Sequence, residues 1–235
     1  MILERPSASR GDVDLGWLKS RHTFSFGHYH DPAWMGFGPL RVINDDTVAA
    51  GGGFAPHRHA NMEIVSVVLA GALAHKDSTG TVGVIRAGDV QWMSAGHGIE
   101  HSEYNGSETE PVHFLQIWIQ PDRLNAQPAY AQQFFDPDAR RARWATLASP
   151  DGADGSIAIR QQAMLRATRL HAGDVVTAAL DPARKHWLHV ATGEVAVGER
   201  VLVAGDALGF DGEAGELALH GIGDSSDVLL FDLPL

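Results

Sequence analysis

The sequence predicts an all-β protein built from two strand-rich halves, and three observations lead there. Most of its 26 glycines punctuate short runs of apolar and β-branched residues, the pattern of strands closed by turns. No long stretch carries a 3.6-residue apolar period, so helical content should be small. An Ala-Gly-Asp turn also feeds an apolar segment three times, at Ala87-Gly88-Asp89, Ala172-Gly173-Asp174 and Ala204-Gly205-Asp206, which points to a duplication.

The strands can be read in order. Glu63-Ile64-Val65-Ser66-Val67-Val68-Leu69 ends at Gly71, and Thr81-Val82-Gly83-Val84-Ile85 runs into the first Ala-Gly-Asp turn. Val112-His113-Phe114-Leu115-Gln116-Ile117-Trp118-Ile119 stops before Pro121, and the second half offers Val195-Ala196-Val197 and Val201-Leu202-Val203. Runs of this length at short intervals are those of a sandwich or barrel. A stretch with Pro128, Pro137 and Pro150 separates the halves, giving an N-terminal domain at 1–125, a connector at 126–154 and a C-terminal domain at 155–235. The cluster Arg140-Arg141-Ala142-Arg143 in that connector reads as a solvated face.

Composition removes several classes of function. With 44% hydrophobic and 20% charged residues the chain is neither disordered nor membrane-spanning. A formal charge of -11 repels phosphates, so direct nucleic-acid binding is not expected. Zero cysteines leave only nitrogen and oxygen to hold a metal. Glu4 and Pro6 interrupt the apolar run a signal peptide would need, so a cytoplasmic address is expected. Ser-elbow, His-Glu-x-x-His, Walker and Gly-x-Gly-x-x-Gly patterns are absent, which disfavours serine hydrolysis and nucleotide chemistry.

Chemistry concentrates among the histidines, of which there are 13. His57-Arg58-His59 and His101-Ser102-Glu103 are both pairs at i and i+2. On a strand each pair points to one face and offers two ligands to one point in a barrel. His28-Tyr29-His30 has the same spacing without other support. Gly51 precedes His57 by six positions, Glu63 follows His59 by four and Asn105 follows His101 by four. Glu63 shares strand parity with the first pair, so spacing leaves the identity of the liganding carboxylate open. Phe54, Trp92, Met93, Phe114 and Trp118 are near enough in sequence to line an apolar slot.

Glycine, His-x-His, glutamate and a later histidine with asparagine at these spacings resemble the two cupin motifs, although Ser94 replaces the usual proline and two extra residues precede His101. A narrower resemblance lies in Arg21-His22-Thr23-Phe24-Ser25-Phe26-Gly27-His28-Tyr29, Gly36-Phe37-Gly38-Pro39-Leu40-Arg41-Val42-Ile43-Asn44-Asp45-Asp46, Val90-Gln91-Trp92-Met93-Ser94-Ala95-Gly96 and Gly98-Ile99-Glu100-His101-Ser102-Glu103. These stretches resemble the pirin family.

The resemblance implies a bicupin: two jelly-roll β-barrel domains, with a metal site in the first and none in the second. It implies His57, His59, His101 and Glu103 as ligands, with Glu63 outside the set. One divalent transition metal is expected, Fe(II) first, with Mn, Co, Ni, Cu or Zn also compatible with three imidazoles and a carboxylate. Bacterial pirin-like proteins resemble quercetinases, metal-dependent dioxygenases that open the central ring of flavonols with dioxygen and release carbon monoxide. A small aromatic substrate and dioxygen are then the partners, and Glu103 doubles as catalytic base. Two rivals follow from the same resemblance: a metal-binding regulator with a protein partner, as in transcription-cofactor pirins, and a cupin enzyme acting on another small molecule. His186 and His189, at i and i+3, fall on opposite faces of a strand and carry no expected metal.

Overall fold

The computed structural model describes residues 1–235, whose regular structure is all strand apart from two 3-10 turns of three residues each. No helix is long and apolar enough to cross a membrane. The chain forms two compact units, Gly11–Phe135 with Ile159–Gln161, and Met1–Arg10 with Asp136–Ala158 and Gln162–Leu235.

Strand β1 (Ile2–Arg5) belongs to the second, C-terminal unit. The N-terminal unit takes β2 (Gly11–Asp14), β3 (Leu18–His22), β4 (Leu40–Val48), β5 (Gly53–His59), β6 (Glu63–Ala70) and β7 (Ala72–Asp77). It continues with β8 (Val82–Arg86), β9 (Asp89–Ser94), β10 (Ile99–Asn105), β11 (Val112–Ile119) and β12 (Ala129–Phe134). They build two antiparallel sheets, ordered β12-β9-β6-β11-β4-β3-β2 and β5-β10-β7-β8. Leu18, Val48, Val68 and Phe114 of the larger sheet pack on Leu73 and Ile85 of the smaller, closing one end of a jelly-roll barrel.

The C-terminal unit repeats this plan. Its strands are β13 (Ala145–Ser149), β14 (Ile157–Ala158), β15 (Met164–Leu170), β16 (Val175–Leu180) and β17 (Lys185–Thr192), then β18 (Glu194–Val197), β19 (Arg200–Val203), β20 (Ala207–Asp211), β21 (Gly215–Gly221) and β22 (Ser226–Leu233). Its sheets run β1-β20-β17-β22-β15-β13-β14 and β16-β21-β18-β19. Two of the Ala-Gly-Asp turns occupy equivalent places, before β9 and before β20. Gly88 and Gly205 both adopt a positive φ, 91° and 87°, which a side chain would strain. Asp89 accepts the Arg86 backbone N–H at 2.8 Å and Asp206 that of Val203 at 2.9 Å, closing each turn in the same way. The third turn, before β16, has Asp174 accepting from the His171 N–H at 2.9 Å.

Three expectations need correction. The connector at 126–154 is not a linker, because β12 pairs with β9 and β13 with β15, each completing a sheet of a different unit. The first ten residues do not belong with the N-terminal barrel, since β1 pairs with β20, in the place β12 holds beside β9. The arginine cluster is only partly solvated: Arg140 is buried against Asp227 at 2.9 Å, and Arg141 pairs with Asp174 at 2.8 Å.

Candidate metal centre

The smaller sheet of the N-terminal barrel carries the histidines. β10 runs antiparallel to β5 with His101 opposite His57 and Ile99 opposite His59. The register slips between His101 and Glu103, so that Glu103 stands opposite Phe54. That bulge places an extra residue on β5 in the Ala55-Pro56 stretch, where Pro56 has no N–H to give. Phe54 and His57 thereby both turn into the barrel despite their odd separation. Gly53 is required beside it, because a Cβ there would sit 2.4 Å from the Tyr104 ring and 2.6 Å from the Glu103 carbonyl oxygen.

His57, His59 and His101 converge, with donor atoms within 4.8 Å of one another and ring centroids 4.4–4.9 Å apart. His57 Nδ1 lies 2.9 Å from the Ala55 carbonyl oxygen. A carbonyl only accepts, so Nδ1 carries the proton and Nε2 keeps its lone pair. Both ring nitrogens of buried His101 lack a hydrogen-bond partner. Burial, with His57 adding to it, holds the His59 pKa down at about 4; burial with His57 and His59 holds His101 at about 3. Both are therefore neutral, with lone pairs available, at physiological pH.

Glu103 is buried next to His101, and its Oε1 has no partner. Its Oε2 accepts from Gln116 Nε2 at 2.8 Å, and Gln116 in turn accepts from Ser66 at 2.8 Å. Burial pushes the Glu103 pKa up to about 7, with Asp46 adding to the rise and the Gln116 and Ser66 contacts opposing it. Buried imidazole and carboxylate atoms without partners are costly unless a cation joins them. The donor set is that of a borderline divalent transition metal, so the residues present fit such an ion.

Glu63 is elsewhere. The turn after His59, with Asn61 at φ 52°, ends β5 and starts β6 in the other sheet. The parity shared with His57 and His59 therefore has no geometric meaning. The Glu63 carboxylate accepts from Trp92 Nε1 at 2.8 Å, Ser94 Oγ at 2.5 Å and the Arg160 backbone N–H at 3.0 Å. His28 and His30 are exposed in the loop between β3 and β4.

Sequence reasoning missed His75. It pairs with Glu103 across β7 and β10, and its donor atom lies within 4.8 Å of those of His101 and Glu103. Its Nε2 donates to Asp77 Oδ2 at 3.0 Å. Asp77 Oδ1 accepts from the Thr79 and Thr81 backbone N–H groups and the Thr79 hydroxyl. Burial works to raise the Asp77 pKa, but these bonds outweigh it and hold the carboxyl below its usual value.

A cavity of about 480 Å³ opens onto His57, His59 and Glu103. Trp17, Phe26, Phe54 and Trp118 wall it, with Asn44, Asp46 and Gln116 supplying polar atoms. Of the aromatic residues expected near the ligands, Phe54 and Trp118 line it. Trp92 instead bonds Glu63, while Met93 and Phe114 fill the core. In the C-terminal barrel the equivalent inward positions are Val176 and Ala178 on β16, paired with Leu219 and Leu217 on β21, and that interior is packed with apolar side chains. His186 and His189 sit on β17, which is buried on both faces.

Two jelly-roll barrels of one plan, one of them holding a histidine–carboxylate cluster, define a bicupin metalloprotein. Residues 4–119 match the family described as Pirin, and residues 146–233 match the quercetinase C-terminal cupin domain. The chain belongs to the pirin family. It is 43% identical to the quercetin 2,3-dioxygenase of Escherichia coli K12, covering 100% of this chain and 99% of that one. It is also 43% identical to a pirin-like protein of Caulobacter vibrioides, covering 91% and 92%. The crystal structure of the E. coli bacterial pirin YhhW in complex with nickel(II) superposes with a TM-score of 0.93 at 41% identity, covering 100% of this chain and 99% of that one.

Proposed function

We propose that this protein is a metal-dependent dioxygenase that opens the central ring of flavonols such as quercetin and releases carbon monoxide, with His57, His59, His101 and Glu103 holding one divalent metal. The observation that carries the reading is the aromatic-walled cavity opening onto His57, His59 and Glu103, with His101 clustered against the two histidines behind it. The 43% identical relatives named quercetin 2,3-dioxygenase support the same class of enzyme. A divalent metal held there supplies Lewis-acid stabilisation of a substrate oxyanion.

The chain's own residues do the rest. Trp17, Phe26, Phe54 and Trp118 offer flat apolar faces that suit a planar flavonol and exclude water from the reacting end. Glu103 lines the cavity beside the histidines and is placed to take the proton of the flavonol 3-hydroxyl. Gln116, anchored by Ser66, fixes one carboxylate oxygen and leaves the other to face the reaction.

The test is dioxygen uptake by protein reconstituted separately with Fe(II), Mn(II), Co(II), Ni(II) and Cu(II), with quercetin added and carbon monoxide assayed in the headspace. Turnover with carbon monoxide release, abolished in His101→Ala, is the expected result. Metal binding without oxygen uptake for any of the five metals overturns the reading in favour of a metal-dependent interaction protein.

A further inference from the structure

The cavity contains two acceptors that the proposed chemistry does not use. Asn44 and Asp46 lie on β4, two residues apart, so both face into the barrel. Each is at least nine-tenths buried, and Asn44 Oδ1 and Asp46 Oδ1 have no hydrogen-bond partner. A buried acceptor left without a donor costs about 1–3 kcal/mol. Both residues line the cavity together with the aromatic side chains of Trp17, Phe26, Phe54 and Trp118.

The chemistry of the unpaired atoms defines what complements them. Asp46 on the larger sheet and Glu103 on the smaller both line this end of the cavity, which therefore presents carboxyl oxygens to a ligand. A carboxylate or phosphate ligand brings acceptors where donors are needed, and an apolar group would leave both oxygens unsatisfied. An aromatic body bearing O–H donors satisfies them while its ring covers the tryptophans and phenylalanines. We infer that Asp46, assisted by Asn44, is a specificity-determining residue that accepts hydrogen bonds from phenolic hydroxyls of the substrate other than the one at the metal end. The selected class is therefore polyhydroxylated flavonols over 3-hydroxyflavone itself. This inference rests on the flavonol reading above.

Quenching of Trp17 and Trp118 fluorescence reports binding without turnover. Anaerobic titrations of Ni(II)-loaded and metal-free protein would use 3-hydroxyflavone, galangin, kaempferol and quercetin, which carry one to five hydroxyls. The wild type should bind the polyhydroxylated ligands tighter than 3-hydroxyflavone by about tenfold, the worth of satisfying a buried acceptor that is otherwise unpaired. Asp46→Ala should weaken the polyhydroxylated ligands by about tenfold and leave 3-hydroxyflavone within about twofold. Asp46→Asn keeps the shape and one acceptor oxygen, and should recover part of that loss. Equal losses for all four ligands, or no loss for any, would make Asp46 structural and overturn the inference alone. Wild-type protein that binds none of the four would bring down the flavonol reading and this inference together.

Discussion

His101 stands directly opposite His57 in the β5–β10 pairing, their rings 4.4 Å apart at centroid. Backbone hydrogen bonds of the ladder set this relationship, so the imidazoles are brought together by folding before any ion arrives. His59 joins from the same face of β5, two residues on. The outcome is a donor cluster on rigid strands instead of on loops, facing a cavity whose other wall is the larger sheet.

Replacing His57, His59 or His101 by alanine should each abolish metal occupancy and activity together. His28→Ala and His30→Ala should leave the metal bound, because both side chains lie in an exposed loop outside the cluster. Metal content after gel filtration, measured by atomic absorption, separates the two groups. A His28 variant that loses its metal would contradict the assignment.

The two glutamates should part company in the same measurement. Glu63→Ala strands the Trp92 indole N–H, the Ser94 hydroxyl and the Arg160 backbone N–H. Its expected cost is about 2 kcal/mol or more, or roughly 4–8 °C in melting temperature for a chain of this size, with metal retained. Glu103→Ala should release or weaken the metal. The reverse pattern would make Glu63 the liganding carboxylate, the alternative that spacing alone left open.

The parts of this molecule legible in the sequence are those with short periods. The i, i+2 spacing of His57 with His59 and of His101 with Glu103 places each pair on one face of a strand. The run from Val112 to Ile119 reads as the strand it forms, because its apolar content and the following Pro121 are local signals. What escaped depends on distant pairing. His75 acquires its neighbour Glu103 through the β7–β10 register, and nothing within His75-Lys76-Asp77 announces it. Asn44 and Asp46 reach the barrel wall only because β4 pairs with β3 and β11. The pairing of β1 with β20 joins residues some two hundred positions apart, beyond the reach of any pattern of period 2.

The pH dependence of metal binding should carry the signature of Glu103. Burial raises its pKa to about 7 in the metal-free protein, so it is largely protonated at pH 6 and ionised at pH 8.5. Its contribution to folding is therefore fully present below about pH 4.5 and is lost as pH rises through about 7, where a buried charge must be carried. A coordinating carboxylate has to give up its proton. Calorimetric titration with Ni(II) in buffers of different ionisation heat should show wild type releasing about one more proton than Glu103→Gln at pH 6, with the difference vanishing at pH 8.5. An equal release from both proteins at pH 6 would remove Glu103 from the coordination set.

His75 should control how firmly that set is held. It is buried, paired with Asp77 and placed beside both Glu103 and His101, with Tyr130 stacked at 5.0 Å on its ring. The four donors that fix Asp77 make this His–Asp pair stiff, and stiffness next to two donor groups limits their rotation. Loss of such a supporting side chain typically costs 10–100-fold in metal affinity. His75→Ala should therefore raise the dissociation constant for Ni(II), read by competition with a chelator, by about that factor. His75→Gln, which keeps an amide donor for Asp77, should recover part of it. If His75→Ala lowers the melting temperature but leaves Ni(II) affinity unchanged, the pair only fills the barrel, and the orientation of Glu103 rests on Gln116 and Ser66 alone.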